Sequence, residues 1–319
     1  MSKTFLHRHG CCAKWPNASL NAQPTLGIMT NAVKRRSQSR SVAHIRTHEA
    51  VVTNEFWYGD GPPSLGKSFT AGKTAERHAA VVRILLKAAK KAATAGNKRL
   101  ADAYYDLADK LSGCRPRARC GSLACPKCAR AFQKAKTAAQ QTVILDLQKN
   151  RARKRLVFVS IIPKGMTYPP GSFSRIDIIK ANRWLKDTLK PVGKRPILGS
   201  VDFGWESRRG GNYLQLHWHL AFWTSNPDNL EEKLKSLFQR AKKYERHIDV
   251  EVARDHGFLP YLNKVIKLPD LLRRNRTHLP ELFLALDHIE PLDLMVLIGL
   301  GLSAQSGGWY CALLPRKKS

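Results

Sequence analysis

Residues 214–223 read Leu-Gln-Leu-His-Trp-His-Leu-Ala-Phe-Trp, a run in which every second residue is strongly apolar. Because side chains of a β-strand point alternately to opposite faces of the sheet, this period of two predicts a strand. One face is apolar and must pack on helices; it carries Leu214, Leu216, Trp218, Leu220 and Phe222. The opposite face carries His217 and His219, whose parallel imidazoles can chelate one divalent ion.

A second strand precedes this one and supplies the carboxylates that such a site lacks. It is predicted over 197–206 and is joined to the histidine strand by Arg-Arg-Gly-Gly-Asn at 208–212, a strong hairpin signal. Asp202 and Glu206 share one face of this strand because they are four residues apart. Either carboxylate can serve as the third ligand, and the spacing leaves the choice between them open.

The segments around the hairpin predict a small α+β sheet. Residues 156–162 are apolar on both faces, which is typical of a central strand, and 246–253 form a further strand. Helical patterns cover 174–190 and 228–243, and another helix follows the last strand. The resulting order, β-α-β-β-α-β-α, is that of a ferredoxin-like sheet.

The rest of the chain divides by composition. Residues 1–50 predict a basic disordered arm, and 51–112 a helical hairpin region broken at Gly96. A cysteine-rich module with a basic helix occupies 113–150, the β-rich domain 151–270, and a C-terminal helical segment 271–319.

Cysteine spacing within the module indicates a metal site. Four cysteines lie within fifteen residues, at Cys114, Cys120, Cys125 and Cys128. Four thiolates can close a tetrahedral site for structural Zn²⁺, and an iron–sulfur cluster would use the same ligands. The basic residues beside them are candidates for phosphate contacts: Arg115, Arg117, Arg119, Lys127 and Arg130.

Overall charge points to a polyanionic partner. The chain has 55 Lys and Arg against 24 Asp and Glu, a net charge of +31, and nucleic acid is the commonest polyanion. The longest apolar run, at 295–304, is too short to span a bilayer, and the first residues lack the apolar stretch of a signal peptide. We therefore expect a cytoplasmic protein with reduced cysteines and no membrane partner.

Tyr261 and Lys264 lie one helical turn apart, just after the last predicted strand of the sheet. A phenolate can attack a phosphodiester if a metal ion or a cation stabilises the developing charge. By itself a Tyr–Lys pair on a helix is usually surface packing, and its significance comes from its place after the histidine strand.

The combination resembles rolling-circle replication initiators of the HUH endonuclease superfamily, over residues 114–268. The resemblance rests on the cysteine segment ending Cys125-Pro126-Lys127-Cys128, on the first strand at 156–162, on His217-x-His219, and on Tyr261-x-x-Lys264. It implies a ferredoxin-like nuclease sheet, a Mn²⁺ or Mg²⁺ ion on the histidines and an acid, and Tyr261 as nucleophile assisted by Lys264.

The implied activity is nicking and religation of single-stranded or origin DNA, with a 5′-phosphotyrosyl intermediate and a free 3′-OH. Host replication helicase and polymerase would be partners in a bacterial cytoplasm. Two alternatives stay open: a transposase with the same chemistry, and a non-catalytic zinc protein that binds single-stranded nucleic acid. In the second alternative, Trp184, Trp205 and Trp223 would stack on bases.

Overall fold

A computed structural model describes residues 71–149, 154–193, 196–208, 211–239, 247–253, 258–264, 277–305 and 308–313. The predictions for the arm at 1–50, and for the beginning of the hairpin region at 51–70, concern residues outside this description. Among the described residues, no helix is both long enough and apolar enough to cross a membrane.

Two helices, α1 (Ala71–Thr94) and α2 (Lys98–Ser112), form an antiparallel hairpin. Gly96 lies between them with φ of +73°, a left-handed conformation that favours glycine. Asn97 then caps α2, because its side chain accepts a hydrogen bond from the amide of Leu100. Buried apolar side chains such as Leu85 and Leu111 hold the two helices together.

The cysteine-rich segment leads into a long helix, α3 (Pro126–Lys149). Pro126 starts this helix at a position where its missing N–H is not needed. The basic helix expected after the cysteines therefore begins inside the cluster, between Cys125 and Cys128.

The remainder of the described chain is built on an antiparallel sheet, so the fold is α+β. The strands of its main part are β1 (Arg155–Ile161), β2 (Thr167–Tyr168), β3 (Ile197–Arg208), β4 (Gly211–Thr224) and β5 (Ile248–Val252). Between them lie the helices α4 (Ile178–Thr188) and α5 (Pro227–Leu237), followed by the short helix α6 (Leu259–Leu262). The strand order is β5-β1-β4-β3, with β2 beside β4. β1 lies inside the sheet, as its two apolar faces predict.

Helix α5 is shorter than the pattern at 228–243 suggests. Asn226 caps it by accepting a hydrogen bond from the amide of Asn229, and the helix ends at Leu237. Residues 240–246 lie outside the described part of the chain.

Both faces of the sheet are covered. Leu216, Trp218 and Leu220 of β4 pack in one core with α4 and α5. On the other face, Ala221 and Trp223 pack in a second core with residues of α3 and α6. Each fully buried Leu or Phe stabilises the fold by about 1.5–3 kcal/mol, so both layers contribute strongly. The histidines of β4 point to the α3 side.

The C-terminal segment 271–319 differs from the helical expectation. Within its described residues, 277–305 and 308–313, one helix is present, α7 (Leu279–Asp287), and three strands follow: β6 (Met295–Ile298), β7 (Leu300–Gln305) and β8 (Gly308–Leu313). β6 pairs with β3 and extends the main sheet, while β7 and β8 form a separate hairpin. The physical reason is that β3 would otherwise expose an edge of unpaired backbone groups, which the apolar run beginning at Met295 covers.

Candidate active site and cysteine cluster

Pairing of β3 with β4 brings two histidines and one carboxylate together. Asp202 lies directly opposite His217 in the register, and His219 follows two residues later on the same face. Nε2 of His217 is 3.2 Å from Oδ2 of Asp202, and Nε2 of His219 is 3.4 Å from the same oxygen. One ligand atom from each residue lies within 4.8 Å of the others, so the three can hold a metal ion.

A glycine makes room for the first imidazole. A Cβ atom at Gly204 would meet Cε1 of His217 at 3.0 Å and Nδ1 at 3.3 Å. Those distances are shorter than ordinary van der Waals contact. The absence of a side chain at Gly204 therefore lets the His217 ring lie over β3, toward Asp202.

The second imidazole is oriented by β1. Oγ of Ser160 lies 3.0 Å from Nδ1 of His219, and the ring of Phe158 stacks on the imidazole at 5.4 Å and 20°. Nε2 of His219 is buried and has no well-aligned hydrogen bond to any described residue, although it faces Asp202. A buried nitrogen of this kind, with the other ring nitrogen held by a polar partner, suits a metal ligand.

Charges around Asp202 keep it ionised despite its complete burial. Burial, the largest influence, raises the pKa of Asp202, but His217, His219 and Lys264 together outweigh it and hold that pKa well below its usual range. Oδ1 accepts a hydrogen bond from the amide of Phe203, which leaves Oδ2 to face the histidines. The site therefore contains an anionic carboxylate that can bind a metal cation.

The pKa of His219 is lowered, which favours a role as a metal ligand. Burial lowers it, and Asp202 opposes that shift only in part. His219 is therefore neutral at neutral pH, which is the form of imidazole that binds metals.

Tyr261 and Lys264 lie beside this group although they are far from it in sequence. The Tyr261 ring is 4.7 Å from the His219 ring, and the tyrosine is 43% exposed. Nζ of Lys264 is 4.9 Å from the centre of the Tyr261 ring and donates a 2.5 Å hydrogen bond to Oδ2 of Asp202. The predicted nucleophile, cation and ligand group thus share one location, with the tyrosine at its solvent side.

Glu206, the other candidate acid, lies opposite Tyr213 in the register, four residues along β3 from Asp202. A displacement of four strand residues is about 13 Å. The ligand group contains Asp202 and does not contain Glu206.

Sequence reasoning missed Lys136 of α3. Its side chain is fully buried, and Nζ donates a 3.2 Å hydrogen bond to Oγ of Ser200. Burial lowers its pKa to about 7, opposed by the charge of Asp202. Lys136 shares a helix face with Gln133 and Gln140, and because such a polar face is normally solvated, the pattern of α3 gives no signal of its burial.

The four cysteines meet where α2 ends and α3 begins. Sγ of Cys128 is 3.5 Å from Sγ of Cys114 and 3.6 Å from Sγ of Cys120, and all four sulfurs lie within 4.8 Å. Sulfurs around a tetrahedral zinc ion would be about 3.8 Å apart for a Zn–S bond of about 2.3 Å. Hydrogen bonds from the other three thiols hold the pKa of Cys114 below its usual range. The donor set therefore fits a metal ion with no open coordination position.

The basic residues beside the cysteines differ in their surroundings. Arg115 and Arg117 are exposed, and Arg119 is half-buried. Lys127 donates a hydrogen bond to the carbonyl of Cys114, and Arg130 donates one to Oγ1 of Thr74. Arg115 and Arg117 are thus the members of this set that the structure leaves best placed for a phosphate.

The tryptophans considered for base stacking are packed against other rings or buried. Trp223 has no exposed surface. Trp184 contacts the rings of Trp218 and Phe238, and Trp205 contacts Phe173. These contacts place them within or against the core.

No known family profile, curated protein or solved structure matches this chain.

Proposed function

We propose that this protein is a metal-dependent DNA-nicking endonuclease and strand transferase that initiates rolling-circle replication. The observation that carries the proposal is the convergence of Asp202, His217 and His219 beside Tyr261 and Lys264. Asp202 comes from β3, the two histidines come from β4, and Tyr261 and Lys264 come from α6 and the residues just after it. Their common location matches the chemistry of tyrosine attack on a metal-bound phosphodiester.

A ferredoxin-like nuclease sheet is part of this proposal. The strand order β5-β1-β4-β3 and the antiparallel pairing of each neighbouring pair support it. So does the sequence order of strands and helices from β1 to β5, which is the split β-α-β arrangement.

Asp202, His217 and His219 would hold a Mn²⁺ or Mg²⁺ ion. When bound, this ion would polarise the scissile phosphate and neutralise charge as it develops. The other contributions come from the chain itself: Ser160 orients His219, Gly204 admits the His217 ring, and the basic surface attracts the strand.

Tyr261 would make the covalent link. Its phenolic oxygen attacks the phosphorus, the bond between phosphorus and O3′ breaks, and a 5′-phosphotyrosyl bond forms. The phenolic proton passes to solvent water, and the departing O3′ takes up a proton from water, so charge and atoms balance. The reverse reaction religates the strand. The free 3′-OH would serve a host polymerase, with a replicative helicase as a further partner.

Lys264 would act as the cation of the site. Its ammonium group donates a hydrogen bond to the carboxylate of Asp202 and lies 4.9 Å from the centre of the Tyr261 ring. A positive charge at this position would stabilise the phenolate as it forms and the phosphate that it attacks.

The cysteine cluster would hold structural Zn²⁺, and the exposed arginines beside it would contact the DNA backbone. Four thiolate ligands leave no position for a substrate, which favours a structural role over a catalytic one.

A covalent adduct is the direct test. The protein is incubated with Mn²⁺ and a pool of random-sequence single strands labelled at the 3′ end, and the mixture is separated on a denaturing gel. A 5′-phosphotyrosyl link retains the 3′ part of the strand, so the label should migrate with the protein. Strands labelled at the 5′ end should instead release a short fragment with a free 3′-OH.

Tyr261→Phe keeps the ring and removes the hydroxyl, so it should form no adduct. Tyr244→Phe and Tyr310→Phe serve as matched controls and should form adduct at the wild-type rate. An adduct formed equally well by Tyr261→Phe would refute the assignment of the nucleophile. Cleavage by the wild type without any trapped label would refute the covalent mechanism.

A further inference from the structure

Helix α3 has a buried polar face that packs on the elements of the candidate site. Gln133, Lys136, Thr137 and Gln140 recur at three- and four-residue intervals, and each is at most 4% exposed. Residues at this spacing lie on one side of a helix. A polar face is costly to bury unless its groups are bonded, so these side chains need specific partners.

Both glutamines of this face contact the segment that carries Tyr261. Nε2 of Gln133 donates a 2.7 Å hydrogen bond to the carbonyl of Pro260, the residue before the tyrosine. Nδ2 of Asn263, two residues after the tyrosine, donates a 2.6 Å hydrogen bond to Oε1 of Gln140. The two contacts therefore lie on either side of Tyr261.

Gln140 also joins this segment to the sheet. Its Nε2 lies 3.5 Å from the carbonyl of Gly199 in β3, three residues before Asp202. One side chain thus contacts both the tyrosine helix and the strand that supplies the carboxylate ligand. Asn263 is itself fully buried and also donates to the carbonyl of Leu259, which braces the segment internally.

The segment depends on outside support because it is short. Helix α6 has four residues, and the tyrosine ring is the part that faces solvent. A single helical turn is marginal in isolation, so its position must come from tertiary contacts. The buried amides of α3 supply them.

We propose that Gln133 and Gln140 are positioning residues that hold Tyr261 at the distance and angle needed for attack. The expected effect of these glutamines on the reaction rate rests on the proposed nuclease function, whereas their effect on the position of the Tyr261 segment does not. Neither glutamine touches the reacting atoms. Since α3 also starts within the cysteine cluster, the same rigid helix carries the cluster at its beginning and the tyrosine support in its middle.

The structural consequence is tested by hydrogen exchange on the full chain without DNA. Gln140→Leu and Gln133→Leu keep similar volume and remove the amide groups. We expect the amides of Leu262, Asn263 and Lys264, which are hydrogen-bonded within the segment, to exchange about tenfold faster or more. Gln141→Leu, at the neighbouring half-buried position, is the matched control and should leave their exchange unchanged.

The catalytic consequence is tested by the rate of adduct formation with the labelled strands. At saturating DNA, each leucine variant should be slower by about 10- to 100-fold, because a displacement near 1 Å has that cost. The DNA concentration for half-maximal rate and the Mn²⁺ affinity should stay at wild-type values, as expected for a defect confined to the chemical step. A general loss of structure would move all three.

A reciprocal exchange guards against a folding defect. Gln140→Asn alone shortens the contact, and adding Asn263→Gln restores its total length, so the pair should recover most of the rate. Wild-type exchange and wild-type rate in Gln140→Leu would overturn the inference, as would failure of the reciprocal pair to improve on Gln140→Asn. If the wild type forms no adduct, the nuclease proposal fails, and the exchange experiment still decides whether the glutamines hold the segment.

Discussion

The cysteine cluster and the histidine–aspartate group are both arranged to hold a metal ion, yet they are assembled in different ways. Cys114 and Cys128 are 14 residues apart, and the turn between two helices suffices to bring them together. Asp202 and Lys264 are 62 residues apart and meet through strand pairing and the docking of α6. The first group depends on a local stretch of chain, the second on the whole fold.

The two groups also differ in their donor atoms and in their surroundings. The cysteine cluster offers four thiol donors, which could close around a metal ion. The histidine–aspartate group has three donors, buried charges of both signs, and a half-exposed tyrosine beside it. A closed site stabilises structure, whereas a site with a free side can accept a substrate.

Removal of the cysteine ligands should have the largest effect. Cys125→Ser combined with Cys128→Ser should abolish the binding of about one zinc ion per chain, as measured by elemental analysis. Structural zinc sites contribute about 10–16 kcal/mol of apparent binding free energy, so the junction of α2 and α3 should also lose its resistance to urea. Cys11→Ser with Cys12→Ser is the control and should retain the ion. A wild-type protein without tightly bound metal would contradict this interpretation.

Removal of the histidines should abolish chemistry but spare DNA binding. If the protein nicks DNA as proposed, His217→Ala combined with His219→Ala should slow nicking by about a thousandfold or more, since a metal ion held there would stabilise developing charge by several kcal/mol. DNA affinity should stay within a few-fold, because lysines and arginines dominate phosphate binding.

The exposed His288 provides the control, and His288→Ala should nick at the wild-type rate. Undiminished, metal-dependent nicking by the double histidine variant would show that these side chains only pack. Nicking on supercoiled DNA and a binding titration measure the two properties separately.

The buried Lys136 of α3 should make the stability of the protein depend on pH. Its pKa in the folded protein is about 7, below the usual 10.5, so the unfolded chain binds more protons between these values. Stability should therefore rise with pH across that window and be lowest below it. Relative to Lys136→Met, the wild type should lose a few kcal/mol at about pH 6 and recover much of it by about pH 9.

Urea unfolding of both proteins at the two pH values measures this difference. Lys87→Met, on the exposed face of α1, should give the same difference from wild type at both. A difference between wild type and Lys136→Met that does not change with pH would contradict the burial of a titrating lysine.

Substitution of Asp202 or Glu206 should have the smallest effect of these four predictions. Asp202→Asn should weaken Mn²⁺ binding by at least about tenfold, because a charged ligand is lost, and Glu206→Gln should change it by less than about twofold. Titration of Mn²⁺ by electron paramagnetic resonance measures both affinities without DNA. An equal loss in the two variants would mean that the strand register seen here does not determine the ligand set.

Much of the site could be predicted because its signals are periodic. Alternation along 214–223 identifies the histidine face, and the i, i+3 spacing pairs Tyr261 with Lys264. The acid could not be chosen, because Asp202 and Glu206 have the same parity on their strand, and only the register separates them. The burial of Lys136 and Gln140 could not be predicted, because polar residues on a helix are normally solvated.

Local sequence patterns predict the order of the longer helices and strands between residues 155 and 262, the face of the histidines and the grouping of four cysteines. These follow from local rules, in which residues a few positions apart share a turn or a face. Long-range contacts place Asp202 beside the histidines, pair the C-terminal run beginning at Met295 with β3, and lay α3 over the tyrosine segment. Those outcomes depend on which distant surfaces bury one another, because strand register and helix docking are set by packing and hydrogen bonding between segments that are remote in sequence.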